Sequence, residues 1–322
     1  MIDMKISRKS ISLKFYTRHF LALLLLCSFI GSCYQKRSKG RMVFGVAYQN
    51  LQNEFIINIQ DAVRKRSKEL NIDLIELDAQ GKSENQISQL ENLIAADVDA
   101  IILNPCDKEG SAPAVDIAVR EKKPIIVVNA IVTNLNKANA YVGSEDAEAG
   151  RIATEYIMKL LGGKGNIAVM HGLNGHSAEV QRSEGIRETI KKYPDAKIIV
   201  EQTANWDRSQ GMALMENWLA SSRKIDAVIA QNDEMALGAY NAIEAAGKQK
   251  EIKVIGIDAI NDALKSVSEN KMAATIFQDA NGQGSVAVDL AKKIVQGQKT
   301  NHTYYIPFQL VTKANLNDFL KR

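Results

Sequence analysis

The chain has 322 residues, of which 46% are hydrophobic and 24% are charged. This composition is typical of a globular protein long enough for about two domains, and it excludes a disordered or low-complexity chain. The net charge of +4 arises within residues 1–33, so the remainder is neutral and a nucleic-acid partner loses support.

The first 33 residues have the pattern of an export signal. A basic segment leads into the apolar stretch FLALLLLCSFI at 20–30, which is shorter than the about 20 apolar residues that a membrane span needs. The segment that follows, IGSC, resembles a bacterial lipobox and predicts that Cys33 is lipidated. An ordinary signal peptide cleaved nearby is the alternative. Residues 34–41 are predicted to form a short polar tether.

From residue 42 onward, short apolar strands alternate with helical patterns. The first series of predicted strands is MVFGVAY, IDLIELD, DAIILNP, PIIVVNA and NAYVG, at 42–48, 72–78, 99–105, 124–130 and 139–143. Segments with helical periodicity lie between the first four of them, at 55–70, 86–96 and 113–121.

A second series follows a predicted helix end at Gly162 and Gly163. Its strands are NIAVMHG, AKIIVEQ, IDAVIAQN, IKVIGID and MAATIFQ, at 166–172, 196–202, 225–232, 252–258 and 272–278. Short apolar strands separated by helices indicate parallel sheets that are buried on both faces. Two such series predict an α/β protein with two doubly wound parallel-sheet lobes.

Polar side chains at the carboxyl ends of these strands mark the expected ligand site, because ligands of doubly wound sheets bind there. They are Gln49, Asn53, Asn104, Asn129, Asn232, Asp258 and Gln278. Amides offer paired donors and acceptors that match vicinal hydroxyls, whereas acid–base catalysis needs groups that titrate near neutrality. The pattern favours binding of a polyhydroxylated molecule over its chemical conversion.

Several segments resemble the ribose-type periplasmic sugar-binding proteins of ABC importers. They are AQNDEMALGA at 230–239, LNPCD at 103–107, GIDA at 256–259 and AATIFQDANGQG at 273–284. The resemblance spans nearly everything after Arg41, with the motifs in the family's order and spacing. Residues 201–239 and 277–284 are most similar to inositol- and rhizopine-binding members.

The resemblance implies the type I periplasmic binding protein fold, in which two similar lobes are joined by three hinge crossovers and close over a sugar. The N-terminal lobe would comprise residues 42–144 and 279–307. The C-terminal lobe would comprise residues 145–278 and 308–322.

The resemblance also implies ligand-binding residues, carried over position by position. The N-terminal lobe would supply Gln49, Asn53, Phe55, Asn104 and Asn129, and the C-terminal lobe would supply Arg182, Trp206, Asn232 and Asp258. Gln278 would lie by a hinge and also contact the ligand. Phe55 and Trp206 would face the two sides of a sugar ring, because axial C–H groups pack against aromatic faces. Arg182 and Asp258 would bracket hydroxyls with charge-assisted hydrogen bonds.

The chain departs from the family at three of these positions. Ribose-binding members usually carry an Asp-Arg pair where this chain has Asn129 and Ala130, and inositol-type members tend to keep the Arg. The Asn is shared with inositol-type members, but loss of the guanidinium removes up to five donors, which makes ribose a weaker candidate and also weakens the cyclitol assignment. Ile56 stands where the family has a second aromatic residue, and Gln49 is longer than the small residue often found there.

Titratable residues near the predicted strand ends are interpreted as structural. Asp233 and Glu234 follow Asn232 at the start of a helix, where acids are favoured by the helix dipole and by free N–H groups. His171 and His176 lie five residues apart in a glycine-containing loop that we place near the cleft rim, with an approach of His176 to the ligand as the alternative. No further Cys or His accompanies them at the spacing of a zinc site, so no metal is predicted.

These observations predict an exported, monomeric solute-binding lipoprotein of an ABC importer, located in the periplasm or at the outer face of the plasma membrane. Its ligand would be inositol-like, with ribose or another pentose or hexose next. Its other partner would be an ABC permease, with the membrane contacted through the anchor alone. No enzyme activity, catalytic residue, cofactor or nucleic acid is expected. A sugar receptor for chemotaxis or signalling, without import, is the alternative.

Overall fold

Strands and helices alternate through residues 40–320, which are the residues described by the computed structural model. Residues 42–322 group as one unit. The predicted signal peptide, the lipobox with Cys33 and residues 34–39 of the predicted tether lie outside the described residues. Within 40–320, no helix combines the length and apolar character needed to cross a membrane.

Six parallel strands form the first sheet. Five of them come from the first series: β1 (Val43–Tyr48), β2 (Asp73–Asp78), β3 (Ala100–Leu103), β4 (Ile125–Asn129) and β5 (Ala140–Gly143). Three helices follow β1, β2 and β3 in turn: α1 (Glu54–Glu69), α2 (Ser83–Ala95) and α3 (Ala112–Arg120). Every residue of β3, β4 and β5 is buried, as the continuous apolar runs predict.

The second sheet has four parallel strands, in the order β7, β6, β8, β9. They are β6 (Lys164–His171), β7 (Asp195–Thr203), β8 (Ala227–Ala230) and β9 (Lys253–Ile255). The helices in this region are α4 (Asp146–Leu161), α5 (Ser177–Ile190), α6 (Arg208–Ala220), α7 (Asp233–Ala245) and α8 (Asn261–Ser268).

The last part of the chain returns to both sheets. β10 (Thr275–Phe277) pairs antiparallel with β12 (Gln309–Val311), and single bridges join the β10 region to the end of β9. Between them lie α9 (Ala280–Val295) and β11 (Thr303–Tyr305). β11 adds to the first sheet, whose full order is β11, β5, β4, β3, β1, β2. The chain therefore passes between the sheets after β5, β10 and β11, as expected for two lobes joined by three crossovers. The exact lobe limits given above stay a prediction.

Two glycines let α4 and α5 pack closely. A Cβ on Gly150 would lie 2.2 Å from the carbonyl oxygen of Arg182, and one on Gly185 would lie 2.0 Å from that of Ala147. Real Cβ atoms do not approach backbone this closely, so larger residues would push the helices apart. The close packing fixes the position of α5, which carries Arg182 and begins directly after His176.

The strands predicted at 252–258 and 272–278 are longer than those observed, Lys253–Ile255 and Thr275–Phe277, and the backbone leaves the extended region at the end of the first of them. Asp258 and Ala259 have φ of +127° and +59°, outside the extended region. β9 accordingly ends at Ile255, and Asp258 forms only an isolated bridge with Phe277. Trp218, on α6, is 3% exposed and packs in the hydrophobic core.

Candidate ligand-binding site

A single cavity lies at the carboxyl ends of strands from both sheets. It encloses about 350 Å³ of empty space, counting the solvent at its open mouth. Its lining residues are Gln49, Asn53, Phe55, Ile56, Asn129, His176, Ala178, Arg182, Trp206, Asn232, Asp258 and Gln278. Nine of the ten predicted ligand-binding residues are in this set, and Asn104 is the tenth.

Asn104 lies behind the cavity wall rather than in it. Its side chain is fully buried, its Oδ1 accepts a hydrogen bond of 3.1 Å from the backbone N of Gln49, and its Nδ2 donates to the carbonyl of Val128 at 3.3 Å. Asn104 therefore fixes the backbone of Gln49 in this arrangement. Asn104 was predicted to contact the ligand directly, but it is not among the residues that line the cavity.

Trp206 forms one wall of the cavity in a constrained position. Its φ is +63°, and its indole ring lies directly on Gly172, where a Cβ would come within 1.9 Å of a ring carbon. Glycine at this position is therefore needed for the ring to lie there. Asn232 Nδ2 donates to the Trp206 carbonyl at 3.1 Å, which fixes the backbone beneath the ring. The indole is held as a rigid apolar surface.

Three lining residues have left-handed backbones: Asn129 with φ +69°, Trp206 with +63° and Asp258 with +127°. For residues other than glycine, such conformations cost of order 1–3 kcal/mol each, and they cluster at functional sites. Tyr141 supports the first of them by donating its hydroxyl to the Asn129 carbonyl at 2.9 Å. The surrounding structure therefore holds these side chains toward the cavity at an energetic cost.

The positively charged side chain in the cavity lining is that of Arg182, and its guanidinium is hydrogen-bonded to other groups of the protein. Its Nε donates to Asp146 Oδ1 at 2.9 Å, its Nη2 donates to Gln278 Oε1 at 3.1 Å, and its Nη1 bonds the carbonyl of Gln231. The guanidinium carbon lies 5.7 Å from the centroid of the Trp206 ring. Burial raises the pKa of Asp146, and Arg182 acts in the opposite direction.

Asp258 differs from Asp146 because its carboxylate has no hydrogen-bond or ion-pair partner among residues 40–320. It is 7% exposed and lines the cavity. Burial raises its pKa well above the usual value, Arg182 opposes this, and the neighbouring acids Asp233 and Asp146 reinforce it. The carboxylate is an acceptor available to a ligand hydroxyl.

Two donors complete this set of available groups. Trp206 Nε1 and Gln278 Nε2 are buried and have no hydrogen-bond partner in the described part of the chain. Buried polar groups are nearly always paired, so such atoms in a cavity lining indicate bonds to a bound molecule. Two donors, one carboxylate and an aromatic wall suit a neutral, hydroxyl-rich molecule with apolar ring faces.

The two loop histidines are buried instead of lying at the cleft rim, which corrects that placement, and His176 lines the cavity in agreement with the alternative given for it. His171 ends β6, and its Nε2 lies 2.9 Å from Glu201 Oε2, away from the cavity. His176 caps α5 and lines the cavity beside Trp206, with ring centroids 5.5 Å apart and planes at 77°. The sequence signal for His176 was its place after a glycine and directly before a helix.

Asp233 and Glu234 lie in the first turn of α7, as predicted. Asp233 is fully buried, accepts from Thr275 Oγ1 at 2.7 Å and from the backbone N of Ile260 at 3.1 Å, and therefore ties the loop after Asp258 to α7. Burial raises its pKa to about 7. Over residues 40–320, no group of three or more His, Cys, Asp or Glu side chains is arranged to hold a metal ion.

Known proteins resemble this chain over most of its length. The family model for the periplasmic binding protein domain matches residues 44–299. A putative rhizopine-binding protein of Rhizobium meliloti is 38% identical over 85% of this chain and 91% of its own length. The ribose import binding protein of Bacillus subtilis is 33% identical over 91% of this chain and 96% of its own length.

A solved structure agrees with these sequence relatives. An ABC transporter solute-binding protein of Bacillus halodurans C-125, with bound myo-inositol, is 41% identical and superimposes with a TM-score of 0.85, covering 88% of this chain and 99% of that one. These relatives are substrate-binding proteins and not enzymes, which confirms the expectation from the strand-end amides. The chain belongs to the periplasmic binding protein family, in its ribose-type group of extracytoplasmic sugar-binding proteins of ABC importers.

Proposed function

We propose that this protein captures a cyclitol of the inositol type, with ribose or another pentose or hexose as the next candidates, and presents it to an ABC permease. The observation that carries this proposal is the set of unpaired polar atoms in one cavity: Asp258, Trp206 Nε1 and Gln278 Nε2. A polyol can satisfy all three at once. A cavity lined chiefly by amides and aromatic rings supplies neither a nucleophile nor a paired acid and base.

An inositol-like ligand is favoured over ribose on two grounds. The Bacillus halodurans protein that is 41% identical holds myo-inositol, and a putative rhizopine-binding protein is 38% identical. Asn129 stands where ribose-binding members usually have Asp, and inositol-type members share the Asn; Ala130 replaces an Arg that both groups tend to keep, so it does not separate the two ligands.

The proposed mechanism is closure of the two lobes over the ligand. Gln49 and Phe55 come from the first lobe, and Arg182, Trp206 and Asp258 come from the second. A ligand that bonds both sides has higher affinity for the closed form, and it shifts the population of lobe arrangements by that difference in affinity. The permease would then recognise the adjacent lobe surfaces in the closed form.

We also propose that the mature protein is lipid-anchored at Cys33, on the strength of the lipobox sequence. Labelling of cells with a radioactive or clickable fatty acid should mark the wild-type protein and leave Cys33→Ala unlabelled. An unlabelled wild-type protein in the soluble fraction would contradict the anchor and leave the binding proposal untouched.

Thermal unfolding of the protein without its signal peptide tests the ligand. The panel comprises myo-inositol, its isomers, ribose, galactose and glucose. A ligand at a thousandfold excess over Kd stabilises the folded state by roughly 4 kcal/mol, so a micromolar binder would shift the melting curve clearly. A panel without any shift would refute the cyclitol and monosaccharide assignment. Conversion of the ligand into product by the pure protein would refute the binding function itself.

A further inference from the structure

Gln49 and His176 bond to each other across the cleft. Gln49 follows β1 in the first lobe, and His176 precedes α5 in the second. The distance between Gln49 Oε1 and His176 Nε2 is 3.2 Å. His176 Nδ1 accepts from the backbone N of Ala178 at 3.2 Å, so the neutral ring carries its proton on Nε2 and donates it to Gln49.

Both partners are buried and held from behind. Gln49 is 7% exposed and His176 is 4% exposed. The Gln49 backbone is fixed by Asn104, and its carbonyl accepts from the backbone N of Gly81 at 2.7 Å. The His176 ring stands edge-on to Trp206. The bond therefore joins two rigid walls of the cavity and holds the Gln49 side chain in place.

Beyond this wall lies a second, larger space. It contains about 920 Å³, counting the solvent at its mouth. Gln49, Asn53 and Trp206 line both this outer space and the inner cavity, so their side chains separate the two. The remaining outer lining is mostly polar or charged and includes Gln52, Asp207, Arg208 and Glu234.

We propose that the Gln49–His176 pair is a size-selecting partition that restricts the ligand to one ring without a large substituent toward the outer space. A glycosyl group in that direction would have to break the bond between the lobes and displace the Gln49 side chain. Rejection through such a clash is a form of specificity that does not require better contacts to the accepted ligand. This inference rests on the proposed cyclitol-binding function and adds an upper limit to the size of the ligand.

The test compares myo-inositol with singly O-glycosylated myo-inositols, galactinol among them, by isothermal titration of the protein without its signal peptide. We expect the wild type to favour myo-inositol by roughly 100-fold, and Gln49→Ala to reduce this preference by about tenfold or more, because the partition is removed. His176→Ala removes the partition from the other lobe and should act in the same direction. Gln49→Leu keeps the bulk and should retain most of the preference.

Gln52→Ala is the matched control, since Gln52 lines the outer space alone and should leave the preference unchanged. The inference is overturned if the wild type binds the glycosylated compounds within about threefold of myo-inositol. It is equally overturned if Gln49→Ala binds myo-inositol with unaltered selectivity. A wild type that binds no cyclitol or monosaccharide would overturn the proposed function and this inference with it.

Discussion

Glu54 in the first lobe accepts a hydrogen bond of 3.3 Å from the backbone N of Asn261 in the second. Asn261 is the first residue of α8, and the N-cap of that helix, Ile260, offers no side-chain bond of its own. The carboxylate therefore serves as a cap for a helix of the opposite lobe. It joins the lobes outside the ligand cavity, in the lobe arrangement described here.

Replacement of Glu54 by Ala should weaken ligand binding about two- to fivefold, the effect expected of a carboxylate at a helix N-terminus in a partly solvated position. The loss should appear in the titration isotherm, while the melting temperature without ligand stays close to the wild-type value. Glu54→Gln keeps an acceptor and should lose less affinity. Affinity unchanged in the Ala variant would show that the contact does not contribute to closure.

Removal of the Trp206 ring should abolish measurable binding. Truncation of a buried aromatic anchor costs about 2–4 kcal/mol, so Trp206→Ala should raise Kd at least about 30-fold by isothermal titration. Trp206→Phe retains an apolar face and should bind with intermediate affinity. Retention of wild-type affinity by the Ala variant would mean that this wall does not contact the ligand.

Asp258→Asn should bind ligand more weakly and yet be more stable without it. Charge-assisted hydrogen bonds contribute about 1.5–3 kcal/mol, so the affinity should fall roughly 10- to 100-fold. Because the pKa of Asp258 is raised in the folded protein, ionisation of this group lowers the free energy of unfolding as the pH rises above the ordinary carboxyl pKa. The melting temperature of the variant at neutral pH should therefore be higher than that of the wild type, by roughly 2–4 °C for each kcal/mol gained in the free energy of unfolding.

The pH series identifies this effect. The stability gain of Asp258→Asn should be largest at neutral to alkaline pH. It should vanish as the pH falls through about 4, because the Asp258 carboxyl then becomes protonated in the unfolded as well as in the folded wild type. Asp233, whose pKa is raised to about 7, also raises the pKa of Asp258, so the gain of the variant includes relief of the repulsion between these two acids. Asp146→Asn is the opposite control, because it unpairs the buried Arg182 and should destabilise. A destabilised Asp258→Asn would contradict the assignment.

Ligand affinity should fall in acid because of His176. Burial and the charge of Arg182 lower the pKa of His176 to about 4, against the opposing effects of Asp107 and Glu179. In an open, hydrated cleft we expect a pKa near the ordinary value of about 6.5, so closure requires loss of a proton below that pH. Affinity should be constant above pH 6.5 and fall by up to about tenfold per pH unit from there toward pH 4.

His176→Gln provides the comparison for that profile, since an amide can still donate to Gln49 and does not titrate. Its affinity measured between pH 4 and 8 should vary less than that of the wild type, with the residual slope arising from Asp258 and Asp146. Parallel profiles of the two proteins would exclude His176 as the source of the pH dependence.

Much of the site could be predicted because strand ends are visible in sequence. Apolar runs identify β1, β4 and β8, and the amides that follow them, Gln49, Asn129 and Asn232, must lie at the carboxyl edge of a sheet. Phe55, Arg182 and Trp206 do not follow from that rule. They came from the family resemblance, and the structure brings them to the same cavity.

Side-chain direction was not predictable for Asn104 and His176. Asn104 directly follows β3 and Asn129 is the last residue of β4, but the Asn104 amide turns back to the Gln49 backbone, because neighbouring strands supply its partners. His176 belongs to a loop whose course depends on the packing of α5 against α4. Local sequence contains neither contact, since the bonded groups are up to 127 residues apart.

The sequence by itself determined the alternation of strands and helices, the two parallel sheets and the neutral amides at their ends, because hydrophobic periodicity and chain direction are local properties. Only the tertiary structure decided that Gln49 meets His176, that Arg182 is paired with Asp146 while Asp258 is left without a partner, and that three lining residues adopt left-handed backbones. These features depend on atoms brought together from distant parts of the chain, and they are the ones that give the cavity its size, charge and available hydrogen-bonding groups.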